Sequence, residues 1–179
     1  AVTRLQDEFR RRGRRTRRLR VSHAFHSARM EPMLDEFAAV AATLTYSPAA
    51  IPVLSNLTGR PATDDELRDS RYWIRHVRET VRFSDAVRWL ADAGMTNVLE
   101  LGPDGVLTAM TDDILDQDHT AVPALRADRP EPDTLLLAVA TLHTAGVAVD
   151  WPAVFTDTGA RTVELPTYAF EGRRFWMAP

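Results

Sequence analysis

Residues 97–115 read NVLELGPDGVLTAMTDDIL. Asn97 to Leu101 is a short apolar run with the length of a strand. Gly102-Pro103-Asp104-Gly105 then forces a tight connection, because glycine and proline punctuate regular structure. Val106 to Leu115 continues with helical spacing. A strand feeding a helix through four residues is the unit from which α/β folds are built. The rest of the chain agrees. Leu19-Arg20-Val21 reads as a short strand, and a helix follows from about Met30 to Ala42 with Met30, Met33, Leu34, Phe37 and Ala41 on one stripe. Leu44 to Leu54 reads as a bend entering a short strand, and Thr58-Gly59-Arg60-Pro61 as a turn. Thr63, with Glu66 three residues on, has the pattern of a capping box. Tyr72 to Val87 is helical in pattern apart from a break near Thr80-Val81. Ser84 is a candidate cap for a helix over Asp85 to Ala93, which Gly94 ends. Val122 to Leu125 reads as another short strand. The α/β class follows from this alternation.

The two ends are less regular. Val2, Leu5 and Phe9 are spaced as in a helix, and Arg10 to Arg20 follows, with eight arginines in eleven residues. Such a run suits a nucleic-acid or phosphate patch. It also suits a solvated helix end that Gly13 stops, since cations favour helix C-termini. An anion site for a coenzyme A phosphate lies between these readings. Ala127 to Asp133 is rich in proline and charge, so a boundary is expected there. Leu135 to Ala145 is a short apolar helix closed by Gly146. The last thirty residues carry Trp151, Phe155, Tyr168, Phe170, Phe175 and Trp176 with little period. A tail this aromatic is expected to lie extended across a folded surface, of this or another domain.

Composition narrows the function. The 179 residues hold no cysteine, and the formal net charge is -3. That excludes a disulfide framework, a thiolate metal site and a chain that is basic overall. No run approaches the roughly 18 apolar residues of a membrane span.

His23 and His26 stand three apart between a strand and a helix. They fit a metal pair, though no third ligand is near in sequence. They fit two ordinary hydrogen-bonded histidines. They also fit a general base beside a nucleophile, because imidazole titrates near neutrality. His76, His119 and His143 have a structural or solvent-exposed role as the default. Gly102 to Gly105 has neither the P-loop nor the dinucleotide spacing. Asp104, Asp112 and Asp113 read as surface caps. No serine has the glycine two residues away on each side that a G-x-S-x-G elbow needs.

VSHAFHSARMEPML (Val21 to Leu34) resembles the acyltransferase domains of modular polyketide synthases and the related malonyl-CoA:acyl carrier protein transacylases. IPVLSNLTGR (Ile51 to Arg60), YWIRHVRETVRF (Tyr72 to Phe83) and VLELGPDGVLTAM (Val98 to Met110) match in the same order. LPTYAFEGRRFW (Leu165 to Trp176) resembles the segment after the acyltransferase, which packs back toward the ketosynthase.

The resemblance implies an α/β-hydrolase-like large subdomain over 22–126, the end of a ferredoxin-like subdomain over 1–21, and a linker over 127–179. It implies a cytoplasmic enzyme that moves a malonyl unit from malonyl-CoA, through an acyl-serine, to the phosphopantetheine thiol of an acyl carrier protein. No cofactor, nucleic acid or membrane is implied. His26 matches the catalytic base. The family orients that base by a main-chain carbonyl, which the resemblance places at His76. His23, Ala24 and Phe25 match the malonyl-selecting form of the quartet, whereas methylmalonyl-selecting relatives carry Tyr-Ala-Ser-His. Phe25 would fill the space of an α-methyl group, a discrimination of only about 1–3 kcal/mol. Thr80 stands where a proline is common. The family's serine elbow, oxyanion loop and carboxylate-binding arginine have no match here. The chain is therefore expected to be a part, inactive without the missing N-terminal part of the acyltransferase; the alternative is a non-catalytic docking or linker piece.

Overall fold

The computed structural model describes residues 2–16, 23–116, 118–169 and 172. The expected strand Leu19–Val21 and the aromatic residues Phe170, Phe175 and Trp176 lie outside them.

Helix α1 spans Val2–Arg11. Gly13 ends it with φ 70°. Its N–H donates to Arg10 O and that of Arg14 to Phe9 O, the paired bonds that close a helix around a left-handed glycine. The apolar stripe of α1 is not buried by this chain: Val2, Leu5 and Phe9 are all exposed.

The helix expected over 30–42 is two pieces. Ala28–Met33 is a 3-10 turn, capped by Ser27, whose Oγ accepts from Arg29 N. Helix α2 then spans Leu34–Ala41. Pro32 lies inside the tighter turn and has no N–H to give to an α-helical ladder. Met30 and Ala41 are buried, as the stripe requires.

The strand expected near Leu54 is only an isolated antiparallel bridge from Leu54 to Pro61. Between them Gly59 turns with φ 70°, and a Cβ there would sit 2.6 Å from Asp85 Cβ. Helix α3, Asp64–Arg68, starts with the expected capping box: Thr63 Oγ1 accepts from Glu66 N, and the Glu66 carboxylate accepts from Thr63 N. Helix α4, Ser70–Arg78, is capped by Asp69. Leu57, Leu67 and Tyr72 form a buried cluster with Ala62 and Trp73 against it.

Helix α5 covers Phe83–Asp92, starting two residues before the expected Asp85, with Arg82 as its cap position. Ser84 is therefore not the cap; its hydroxyl accepts from the Arg88 guanidinium one turn on. Strand β1, Asn97–Glu100, helix α6, Val106–Ile114, and strand β2, Thr120–Pro123, make the parallel βαβ unit. The register sets Asn97 opposite Thr120 and Glu100 opposite Pro123. Among the described residues this two-stranded sheet has both outer edges unpaired.

The proline-rich stretch 127–133 leads into a helix. Pro130 is the cap position and Pro132 lies in the first turn of α7, Glu131–Thr144, where the missing N–H costs nothing. Thr134 and Ala138 of α7 are buried, and the helix packs on β2. A short α8, Trp151–Val154, follows. Beyond it Val163, Leu165 and Tyr168 are largely exposed. No described helix is long and apolar enough to cross a membrane.

Candidate active site

The site forms where the loop before the 3-10 turn meets the end of α4. His26 has φ 60°, a left-handed backbone in a residue with a Cβ. That conformation costs on the order of 1–3 kcal/mol and persists only where surroundings hold it. Here the His26 N–H donates to Val77 O at 2.9 Å. Arg78 also bridges to Glu31, tying the 3-10 turn to α4.

The ring is restrained as well. His26 Nδ1 lies 2.9 Å from Glu79 O. A carbonyl oxygen can only accept, so in the neutral ring Nδ1 carries the proton and donates it. Nε2 is then left with its lone pair, the form a general base needs.

The orienting carbonyl is thus Glu79's, three residues past the expected His76. The reason lies in the helix end. Within α4 each carbonyl points along the axis to the next turn, and the last ones have no such partner. Glu79 is the C-cap, with φ -85° and ψ 160°, so its carbonyl leaves the helix direction. The break expected near Thr80-Val81 was the available signal, because a helix must release free carbonyls just before it stops.

His76 contributes its ring instead. It stands edge-on to His26, with centroids 5.7 Å apart and planes at 84°. Burial, and then the neighbouring His26 charge, push its pKa below the ordinary imidazole value. The Glu79 carboxylate points elsewhere: Arg75 binds it at 2.7 Å and holds its pKa below the usual carboxylate range.

His23, Ala24 and Phe25 lie next to His26. Phe25 is 53% exposed, its ring 6.3 Å from His26 and 6.3 Å from His23. The remaining histidines lie elsewhere: His119 pairs with Asp112 at 2.8 Å, and His143 stands edge-on to Trp151. Among the described residues no group of three or more histidine or carboxylate side chains is placed to hold a metal ion.

Asp104 accepts from Gly105 N, at the cap position, and makes no bond into the first turn of α6. The side chain that does cap that turn is one that spacing did not flag. Glu100, at the end of β1, accepts from Leu107 N, Thr108 N and Thr108 Oγ1 at the start of α6.

The acyl transferase domain model matches residues 1–149. The chain belongs to the acyl transferase domain family. As such it is 49% identical over 180 residues to polyketide synthase GfsA of Streptomyces halstedii, covering 98% of this chain and 2% of that protein. Among solved structures, the acyltransferase domain from the second module of the salinomycin polyketide synthase is 51% identical, with a TM-score of 0.77 over 94% of this chain and 40% of that one. A malonyl-transacylase solved with its type II acyl carrier protein is 27% identical, with a TM-score of 0.60 over 78% of this chain and 43% of that one. This acyl transferase chain thus spans a small share of the curated synthase and about two-fifths of the solved domains. The match runs through α7, in keeping with the packing of that helix on β2.

Proposed function

We propose that this chain supplies the general base of a polyketide synthase acyltransferase that moves a malonyl unit from malonyl-CoA to the phosphopantetheine thiol of an acyl carrier protein. One observation carries the reading: Nδ1 of His26 faces a main-chain acceptor, so in the neutral ring the lone pair is on Nε2.

The chemistry follows from that tautomer. Nε2 takes the proton of a serine hydroxyl as its oxygen attacks the thioester carbon. The C–S bond breaks, and the imidazolium returns the proton to the departing coenzyme A thiolate. The same nitrogen then deprotonates the carrier thiol, which attacks the acyl-serine, and the proton goes back to the serine oxygen. The serine, its oxyanion donors and the malonyl-binding arginine would come from the part of the domain outside this chain. His23, Ala24 and Phe25 stand beside the base, and Phe25 is the group that would crowd an α-methyl substituent.

The solved complex of a related malonyl-transacylase with its carrier protein supports the carrier as acceptor. A second reading concerns the tail. Leu165 and Tyr168 are about four-fifths exposed, which favours packing against a ketosynthase.

The test is intact-protein mass spectrometry of the full acyltransferase after brief exposure to malonyl-CoA and methylmalonyl-CoA. Loading that prefers malonyl and collapses in His26→Ala is the expected result. Unchanged loading in that variant would remove His26 as the base.

A further inference from the structure

The Nδ1–Glu79 bond is a single restraint on a ring that turns about both the Cα–Cβ and Cβ–Cγ bonds, so one soft motion remains with that bond as its pivot. The catalytic nitrogen lies on the far side of that pivot. A small tilt there displaces Nε2 from the serine, and misplacements of about 1 Å can cost about 100-fold in rate. A second contact must hold the plane.

That contact is His76. Its ring meets His26 at 84°, and it is held in turn by a column of aromatic rings. Tyr72 stacks on it at 6.1 Å with planes at 28°. Trp73 flanks it at 6.3 Å and donates Nε1–H to Leu67 O. The column has a buried foot. Ser55 is 1% exposed, and its hydroxyl lies 2.7 Å from Tyr72 Oη. Ser55 Oγ already accepts from Leu57 N and Thr58 N, so its own hydrogen goes to Tyr72.

Resting on the proposed role of His26, we infer that the His76 ring is a positioning residue, the plane-setting contact for the base rather than the source of its hydrogen-bond acceptor.

The electrostatics agree. Around His76, Arg75 is bound to Glu79, Arg78 to Glu31, and Glu66 of α3 to Arg60. Asp35 and Glu36 of α2 are exposed. His26 is the group whose charge bears on His76. An uncharged His76 supports the base, whereas a proton there would set a cation beside the imidazolium that forms on His26 during transfer.

Malonyl loading and transfer are measured in the full acyltransferase, with ¹⁵N spectra of the His26 ring nitrogens. His76→Ala should lower kcat about tenfold or more and change KM less than twofold. Its spectrum should keep the Nδ1-protonated tautomer, since Glu79 O remains, with the ring-nitrogen signals broadened by motion about that bond. His76→Phe restores a flat ring and should recover kcat to within about threefold. A wild-type kcat in His76→Ala would overturn the inference. So would a His76→Phe enzyme that melts like the wild type yet stays as slow as His76→Ala. If His76→Ala does not fold, His76→Phe against His76→Asn decides, with Phe expected to be faster; equal or reversed rates overturn the inference. Retained loading in His26→Ala would be a different failure, that of the base assignment.

Discussion

Glu79 O and His26 Nδ1 are 2.9 Å apart across 53 residues of sequence. The contact uses the backbone of one residue and the side chain of the other, so the two respond differently to substitution. Glu79→Gln removes the Arg75 ion pair and leaves the carbonyl in place. Transfer rates in the full acyltransferase should stay within about threefold of wild type, because an exposed ion pair contributes little. A larger loss, by the loading assay, would mean that the carboxylate takes part.

The same backbone predicts that Thr80→Pro is tolerated. Proline restricts the residue before it to extended conformations, and Glu79, at φ -85° and ψ 160°, already has one. The substitution should raise stability by about 0.4–1 kcal/mol through the unfolded state. Denaturant unfolding checks it, and a loss of stability would show that position 80 needs a different φ or its N–H.

His76 makes stability depend on pH. Its folded pKa lies below the ordinary 6.5, so between those values the unfolded chain binds more protons. The stabilisation is full above about pH 6.5 and is lost as pH falls through that window. Glu66 and Glu79, also depressed, act only below their ordinary 4.5. Denaturant midpoints between about pH 5 and pH 8 should therefore slope less in His76→Phe than in wild type.

Glu100 ties β1 to α6 through three hydrogen bonds. Glu100→Ala leaves the α6 donors without that partner and should cost about 1–3 kcal/mol. Glu100→Gln keeps one acceptor oxygen and should cost less. Equal losses on thermal melting would point to packing rather than to the cap.

Gly59→Ala meets two obstacles, the left-handed φ of 70° and the Asp85 Cβ at 2.6 Å. A loss of at least about 2 kcal/mol is expected. Chemical denaturation of the full domain measures it, and a near-neutral result would mean that α5 shifts to make room.

The elements that sequence reading located well are those with local causes. Gly13, Gly94 and Gly146 end helices because a left-handed residue is needed there, and Thr63 with Glu66 starts one by pairing side chain with backbone. Strand β1 and helix α6 were legible from apolar spacing around a Gly-Pro-Asp-Gly turn. The errors arose where non-local packing or main-chain geometry decides. Nothing in the spacing of residues 28–33 distinguishes a 3-10 turn from an α-helix apart from Pro32. Prolines 130 and 132 open α7 four residues before the apolar run that begins at Leu135, because the first turn does not need their N–H. Ser84 has a capping side chain, but the chain enters the helix at Phe83. At the site, the resemblance singles out His26 of HAFH, and the structure holds that ring against the end of α4. The acceptor was missed because any residue can supply a carbonyl, and only the helix terminus reveals which one is free to turn outward.

The outer edge of β1 is unpaired among the described residues. Beside it lies a hollow of about 380 Å³ lined by Phe83, Leu90, Val98, Leu101, Leu107 and Leu115. Produced alone, this polypeptide would offer both to any other β-rich chain, and self-association would compete with folding. Co-produced with the remainder of an acyltransferase, it offers a seam along which the two pieces could dock, and malonyl loading above that of either piece alone would report the docking.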